Sequence, residues 1–190
     1  MRASAMGLLF VVACGGSSVT APAVAGPLPT ELETVYENGA DFVDDPEILE
    51  GRWRDDWSEE LDTRVRTADI IAIVDVPTVR TDIDPEGRTT FRLNSVVDDS
   101  ILGEGAGEIA LESHQGELGF AGIRSNERRI QSQPMVLFLR WAADENGQNG
   151  ARWHLSPATD GVVSRVRYLA ERRRGVEREG RPARVIVHEN

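Results

Sequence analysis

The chain has 190 residues, a formal net charge of −11, one Cys, 40% hydrophobic and 28% charged residues. The hydrophobic share excludes a wholly disordered protein, and the length suits one ordinary domain with appendages. A lone Cys excludes an intrachain disulfide and any multi-cysteine metal centre, the lack of Lys removes Schiff-base and phosphate-loop lysine chemistry, and the acidic balance argues against nucleic acid as partner.

Residues 1–13 offer Arg2 followed by an apolar run over 5–13. That run fits the apolar core of a signal peptide and falls far short of the ~20 apolar residues of a spanning helix. Val11-Val12-Ala13-Cys14 resembles the lipobox of bacterial lipoproteins. The resemblance implies that residues 1–13 are removed and that Cys14 is acylated as the new first residue. Gly15-Gly16-Ser17-Ser18 follow, without the Asp that retains such proteins at the inner membrane, so it also implies the outer membrane of the bacterial envelope. An ordinary secretory signal with Cys14 as a bystander is the plainer alternative. Each buried CH₂ contributes about 0.8 kcal/mol, so one acyl chain anchors marginally and two hold firmly. Residues 14–29 read as the lipidated Cys and an uncharged tether stiffened by Pro22, Pro27 and Pro29.

Residues 30–66 read as a helical segment. Thr30 and Glu33 form a capping box that opens a short helix stopping by Gly39. After Pro46, Trp53, Trp57, Leu61 and Val65 recur every fourth residue and predict an amphipathic helix with its acids facing water. Two tryptophans one turn apart fit either a stripe packed on a sheet or an exposed carbohydrate platform.

Residues 67–160 change to an extended period. Strands are expected over 69–79, 89–97, 108–114, 135–141 and 151–156, with turns at 82–87 and 144–150. Short strands joined by turns predict a small antiparallel barrel or sandwich. The ordered segments Ala68-Asp69-Ile70-Ile71-Ala72-Ile73-Val74, Asn94-Ser95-Val96-Val97, Leu102-Gly103, Met135-Val136-Leu137-Phe138-Leu139 and Arg152-Trp153-His154-Leu155 are similar to bacterial envelope proteins with an OB-like barrel of the netrin/tissue-inhibitor type. The resemblance spans roughly residues 65–165 and implies a fold and an envelope location. It implies no activity, because the inhibitor branch acts through N-terminal cysteines that this domain lacks.

Residues 161–190 read as a C-terminal helix, from about Asp160 to Arg174 with Gly175 as its stop, and an Arg-rich tail in which 184–188 is a possible edge strand. Over 160–190 there are eight Arg against five acids. That surplus suits either a solvated helix end or contact with anionic lipid head groups.

Catalytic groups are hard to assemble. His114, His154 and His188 show no metal-ligand spacing, and the serine elbow Gly-x-Ser-x-Gly is absent. His154, Ser156 and Asp160 are near in sequence but lie on one strand and the turn after it. Asp82-x-Asp84-x-Glu86-Gly87 copies half a calcium loop, yet Leu93 stands where the bidentate Glu belongs, and a polar β-turn explains the same residues. Asp98-Asp99 is a loop acid pair, and 103–107 has the wrong glycine spacing for a dinucleotide.

The sequence therefore predicts a mainly β (α+β) fold: an OB-like antiparallel barrel flanked by N-terminal amphipathic helices and a C-terminal helix. The expected function is a lipid-anchored, non-catalytic envelope binding or structural module, with Cys14 as its site residue and no cofactor. Its partners would be the membrane through the anchor and an envelope protein or glycan, met at the loops near 80–88 and 98–107. The alternative is a secreted metal-dependent hydrolase using loop carboxylates such as Asp82 or Asp98.

Overall fold

The computed structural model describes residues 26–105, 107–143, 147 and 149–179. Cys14, the leader, most of the tether and the tail strand expected at 184–188 lie outside them. A single-turn 3-10 helix (Thr30–Leu32) leads to β1 (Gly39–Ala40), a second 3-10 turn (Pro46–Ile48) and α1 (Arg52–Thr67). Then come β2 (Ile70–Ile83), β3 (Thr89–Leu102), β4 (Glu108–His114), α2 (Phe120–Ser132), β5 (Met135–Ala143), β6 (Asn149–Pro157) and α3 (Asp160–Glu179).

The fold is α+β. Its six strands form one mixed sheet in the order β1-β6-β5-β2-β3-β4, antiparallel except where β1 runs parallel to β6. The wholly antiparallel sheet expected from sequence is corrected by that two-residue strand. The expected closed barrel is corrected too, because among the described residues β4 pairs with β3 alone and the sheet does not close. The sheet nonetheless curls: register shifts interrupt the β2–β3 pairing between Ile71/Ala72, Ile73/Val74 and Asp75/Thr78. Such irregularities raise local twist and bend a strand. Curling brings β4 and β6, three strands apart in pairing order, close enough for Trp153 Nε1 to donate to the Glu112 carbonyl at 3.0 Å.

Alternation sorts the side chains. On the concave side Ile70, Ala72, Val74, Phe91, Leu93, Ile109, Leu111, Leu137, Leu139, Trp153 and Leu155 pack with Ile123 and Ile130 of α2. On the convex side Ile71, Val136 and Phe138 pack with Trp57, Leu61 and Val65 of α1 and Val162, Val166 and Leu169 of α3. Ile70–Val74 of β2 and Met135–Leu139 of β5 are covered on both faces, which is why those stretches are apolar without interruption, whereas β3 and β4 alternate apolar and polar. Each large apolar side chain so buried contributes roughly 1.5–3 kcal/mol.

Four further expectations change. Thr30 caps nothing, since its turn is led by Pro29, and the helix cannot continue because Asn38 turns to φ +53° to pair with β6. Trp53 is 71% exposed while Trp57, Leu61 and Val65 are buried. β3 runs on to Leu102, so Asp98 and Asp99 are strand residues, not a loop. Gly175 does not stop α3, whose Arg173 Nε binds Glu177 across that position at 2.9 Å. Sequence reading misses β1 and also α2, whose helical geometry breaks at Asn126 (φ −127°, ψ 20°).

Candidate functional site

The densest polar cluster lies where β1, β6 and α1 meet. β6 alternates Trp153 and Leu155 into the concave core, so His154 and Ser156 point to the other face, where Asp41 follows β1. Asp41 Oδ2 is the common acceptor. It takes Ser156 Oγ at 2.7 Å, lies 3.1 Å from His154 Nε2 and 3.5 Å from Arg64 Nη1. Arg64, 2% exposed, also gives Nε to the Val35 carbonyl at 3.2 Å and Nη2 to Glu60 at 2.8 Å. A buried guanidinium needs every donor matched, and this one holds α1, the turn before β1 and the end of β1 together.

The electrostatics follow from burial. Burial pushes the His154 imidazole down to about 4, with the Arg64 charge adding to it and Asp41 opposing. His154 is therefore neutral at neutral pH, and with Nε2–H directed to Asp41 its Nδ1 keeps a bare lone pair. That atom is buried without a hydrogen-bond partner, 3.9 Å from Glu37 Oε1. Burial pushes the Asp41 carboxyl up, but His154, Arg64 and Ser156 outweigh it and leave it lowered. Burial raises Glu37. Tyr36, pushed up to about 12 by burial, stays protonated and bonds the Arg64 carbonyl at 3.0 Å.

His154 and Ser156 are thus brought together, but by Asp41 rather than Asp160, which begins α3. The arrangement is not a nucleophile relay. Such a relay needs the hydroxyl bonded to the imidazole that will take its proton; here the Ser156 proton goes to the carboxylate, and Ser156 is fully buried.

Beside the cluster two adjoining hollows, of about 400 and 380 Å³, meet at Glu117 and Arg152. The first is lined by Leu28, Glu33, Tyr36, Glu37 and Leu118, the second by Asn38, Ala110, Glu112, His114, Gly150 and Ala151. Glu117 organises them: Oε1 accepts Asn38 Nδ2 at 2.8 Å and Arg152 Nη1 at 3.0 Å, and Oε2 accepts the His114 amide at 2.7 Å. Asn38 completes the link, its Oδ1 accepting the Trp153 amide at 3.1 Å. This trough is an open polar site with a hydrogen-bonded floor. Asn38, Asp41 and Glu117 carried no local signal, because each finds its partners through the fold.

The remaining candidates lie elsewhere. Asp84 binds Arg88 through the amide at 2.8 Å and Nε at 2.7 Å, closing the turn in which Gly87 takes φ +81°. Asp82 Oδ2 holds Arg92 Nε at 2.6 Å, and Asp99 holds Arg167. Among the described residues no His, Asp and Glu side chains converge in threes as metal ligands would. Of the Arg172–Arg174 run, Arg173 turns inward and gives Nη1 to the carbonyls of Val65 at 3.0 Å and Ala68 at 2.7 Å. Among the described residues no helix is long and apolar enough to cross a membrane. Comparison of the chain with protein-family models, curated proteins and solved structures finds no match.

Proposed function

We propose that the chain is a lipid-anchored protein of the bacterial envelope whose domain acts by binding, without catalysis. The observation that carries the binding reading is the division of polar groups. Ser156 and His154 are buried and with Asp41 serve as a clamp, while the trough around Glu117 and Arg152 is open and has a structured floor. The anchor reading rests on the leader residues, with Cys14 as the acylated site. Gly26 and Pro27, at the end of the tether, fasten to Ala143 at the end of β5.

The OB-like likeness also has support. The order β6-β5-β2-β3-β4, with α2 inserted between β4 and β5 beneath the concave core, has the strand number and partial openness of that design. Its ligand would be an envelope protein or glycan.

Membrane fractionation of the wild type beside Cys14→Ser, with intact mass, tests the reading. Wild type that carries acyl mass and sediments with the outer membrane, both lost in the variant, is the expected result. Two soluble, unacylated forms would overturn the anchor.

A further inference from the structure

The gap in the curled sheet has two backbone edges. Gln115 N bonds the Thr89 carbonyl and Val97 N the Gly107 carbonyl, which fixes the parity of the β3–β4 ladder. Ser113, Leu111 and Ile109 therefore bond β3, and Glu108, Ala110 and Glu112 point their N–H and C=O groups into the gap, where the Glu112 carbonyl already takes Trp153 Nε1 and Glu108 and Ala110 stand clear of it. On the other side Trp153 and Leu155 turn their backbone groups towards β1. Ala151, of the same parity, points the same way, but β1 reaches only His154 and Leu155. Because β6, β5, β2, β3 and β4 alternate in direction, β4 and β6 run parallel, and a strand antiparallel to both would bond both.

The lining suits such a guest. Ala110, Ala142, Gly150 and Ala151 keep the walls low enough for a backbone to approach. Glu33, Glu37, Glu112 and Glu117 set four carboxylates around the two hollows; Arg152 holds Glu117 and Arg92 holds Glu112, which leaves a surplus of negative charge at Glu33 and Glu37. Leu118, 67% exposed, adds an apolar contact at the rim. Backbone pairing supplies affinity in strand addition, and alternate side-chain pockets supply specificity.

We propose that the β4–β6 gap binds an extended basic peptide segment of a partner protein, which adds as a strand to the edge of β4 that no described strand covers. The inference deepens the binding reading and rests on it; it does not depend on the anchor.

The test uses the full chain carrying Cys14→Ser and a capped heptapeptide alternating Arg and Val, followed by calorimetry and by amide hydrogen exchange. Saturable binding is expected, with exchange at Glu108, Ala110 and Ala151 slowed at least about tenfold while Ile109 and Leu111 are unchanged. The same peptide N-methylated at alternate residues, and a Glu-Val peptide, should each lose about tenfold or more in affinity. Ala110→Pro, which removes an outward N–H at an edge where Pro is tolerated, should lose binding at unchanged Tm. Three results would overturn the proposal. One is equal binding of the N-methylated peptide. Another is edge amides already slow in the free chain and released by deleting residues 181–190, which would make the chain's own tail the occupant. The third is edge protection that vanishes on dilution, which would make it a second copy. Each leaves the fractionation result standing, and a soluble, unacylated wild type would leave the peptide result standing.

Discussion

Gly39 and Gly119 cross backbone to backbone, so closely that a Cβ on Gly119 would lie 2.3 Å from the Gly39 Cα and one on Gly39 would lie 2.5 Å from the Gly119 Cα. This crossing seats the start of α2 on β1 and holds the Glu37 carbonyl to the Gly119 amide at 3.0 Å. Gly119→Ala should cost about 2–3 kcal/mol, since neither backbone can yield. Gly122→Ala, whose Cβ meets only the Ala40 carbonyl at 3.6 Å, should instead stabilise by up to about 1 kcal/mol through helix propensity. Urea midpoints of the two variants check both signs.

His154 links stability to pH. Its folded value near 4 lies below the usual 6.5, so the unfolded chain binds the extra proton between those values. The contribution is complete above about pH 6.5 and is lost as pH falls towards 4, by roughly 3 kcal/mol. Glu37 acts with the opposite sign: its raised value favours the fold at low pH, and that part fades as pH rises through it. Urea unfolding of wild type and His154→Phe across this range should show a difference that is level above pH 6.5 and shifts against wild type below it. A constant difference would refute the assignment.

Arg64→Leu removes one positive charge from between Asp41 and Glu60 and leaves the Val35 carbonyl without its donor. A loss of about 3–5 kcal/mol is expected, as for other broken buried pairs. Combining it with Asp41→Asn should recover part of that loss, and a double-mutant cycle in urea measures the coupling.

Arg173 and Arg174 are neighbours with different duties. Arg173→Ala strips two carbonyls at the C-terminal end of α1 of their donor and should cost about 1–2 kcal/mol. Arg174, which is exposed, should tolerate Ala within about 0.5 kcal/mol. Thermal melts of the pair make the comparison internally controlled.

Calcium should leave Tm unmoved at millimolar concentration. Asp82 and Asp84 already hold Arg92 and Arg88, and a cation would have to displace both. A rise in Tm that saturates with calcium would instead revive the carboxylate hydrolase.

The β-rich centre was legible because burial on one or both faces writes itself into residue order. The run Ile70-Ile71-Ala72-Ile73-Val74 needs a core above and below, and Glu108–His114 alternates because only its inner face is covered. α2 left a faint trace, since Ile123 and Ile130 are its only buried side chains and Gly122, Ser125 and Asn126 lie between them or beside them. Of the site only the closeness of His154 and Ser156 was legible, because they share one strand. Asp41 meets Ser156 across 115 positions and Asn38 meets Glu117 across 79, and no local period reports a pairing that curling of the sheet creates.

The bonds from Arg173 to the Val65 and Ala68 carbonyls join residues 108 and 105 positions apart, so the end of α1 waits for α3. β1 likewise waits for β6. An emerging chain cannot complete the convex layer until α3 leaves the ribosome, so vectorial synthesis leaves that face of the sheet half covered until then. A nascent chain stalled before residue 160 should accordingly remain sensitive to protease, and the full chain should become resistant in one step.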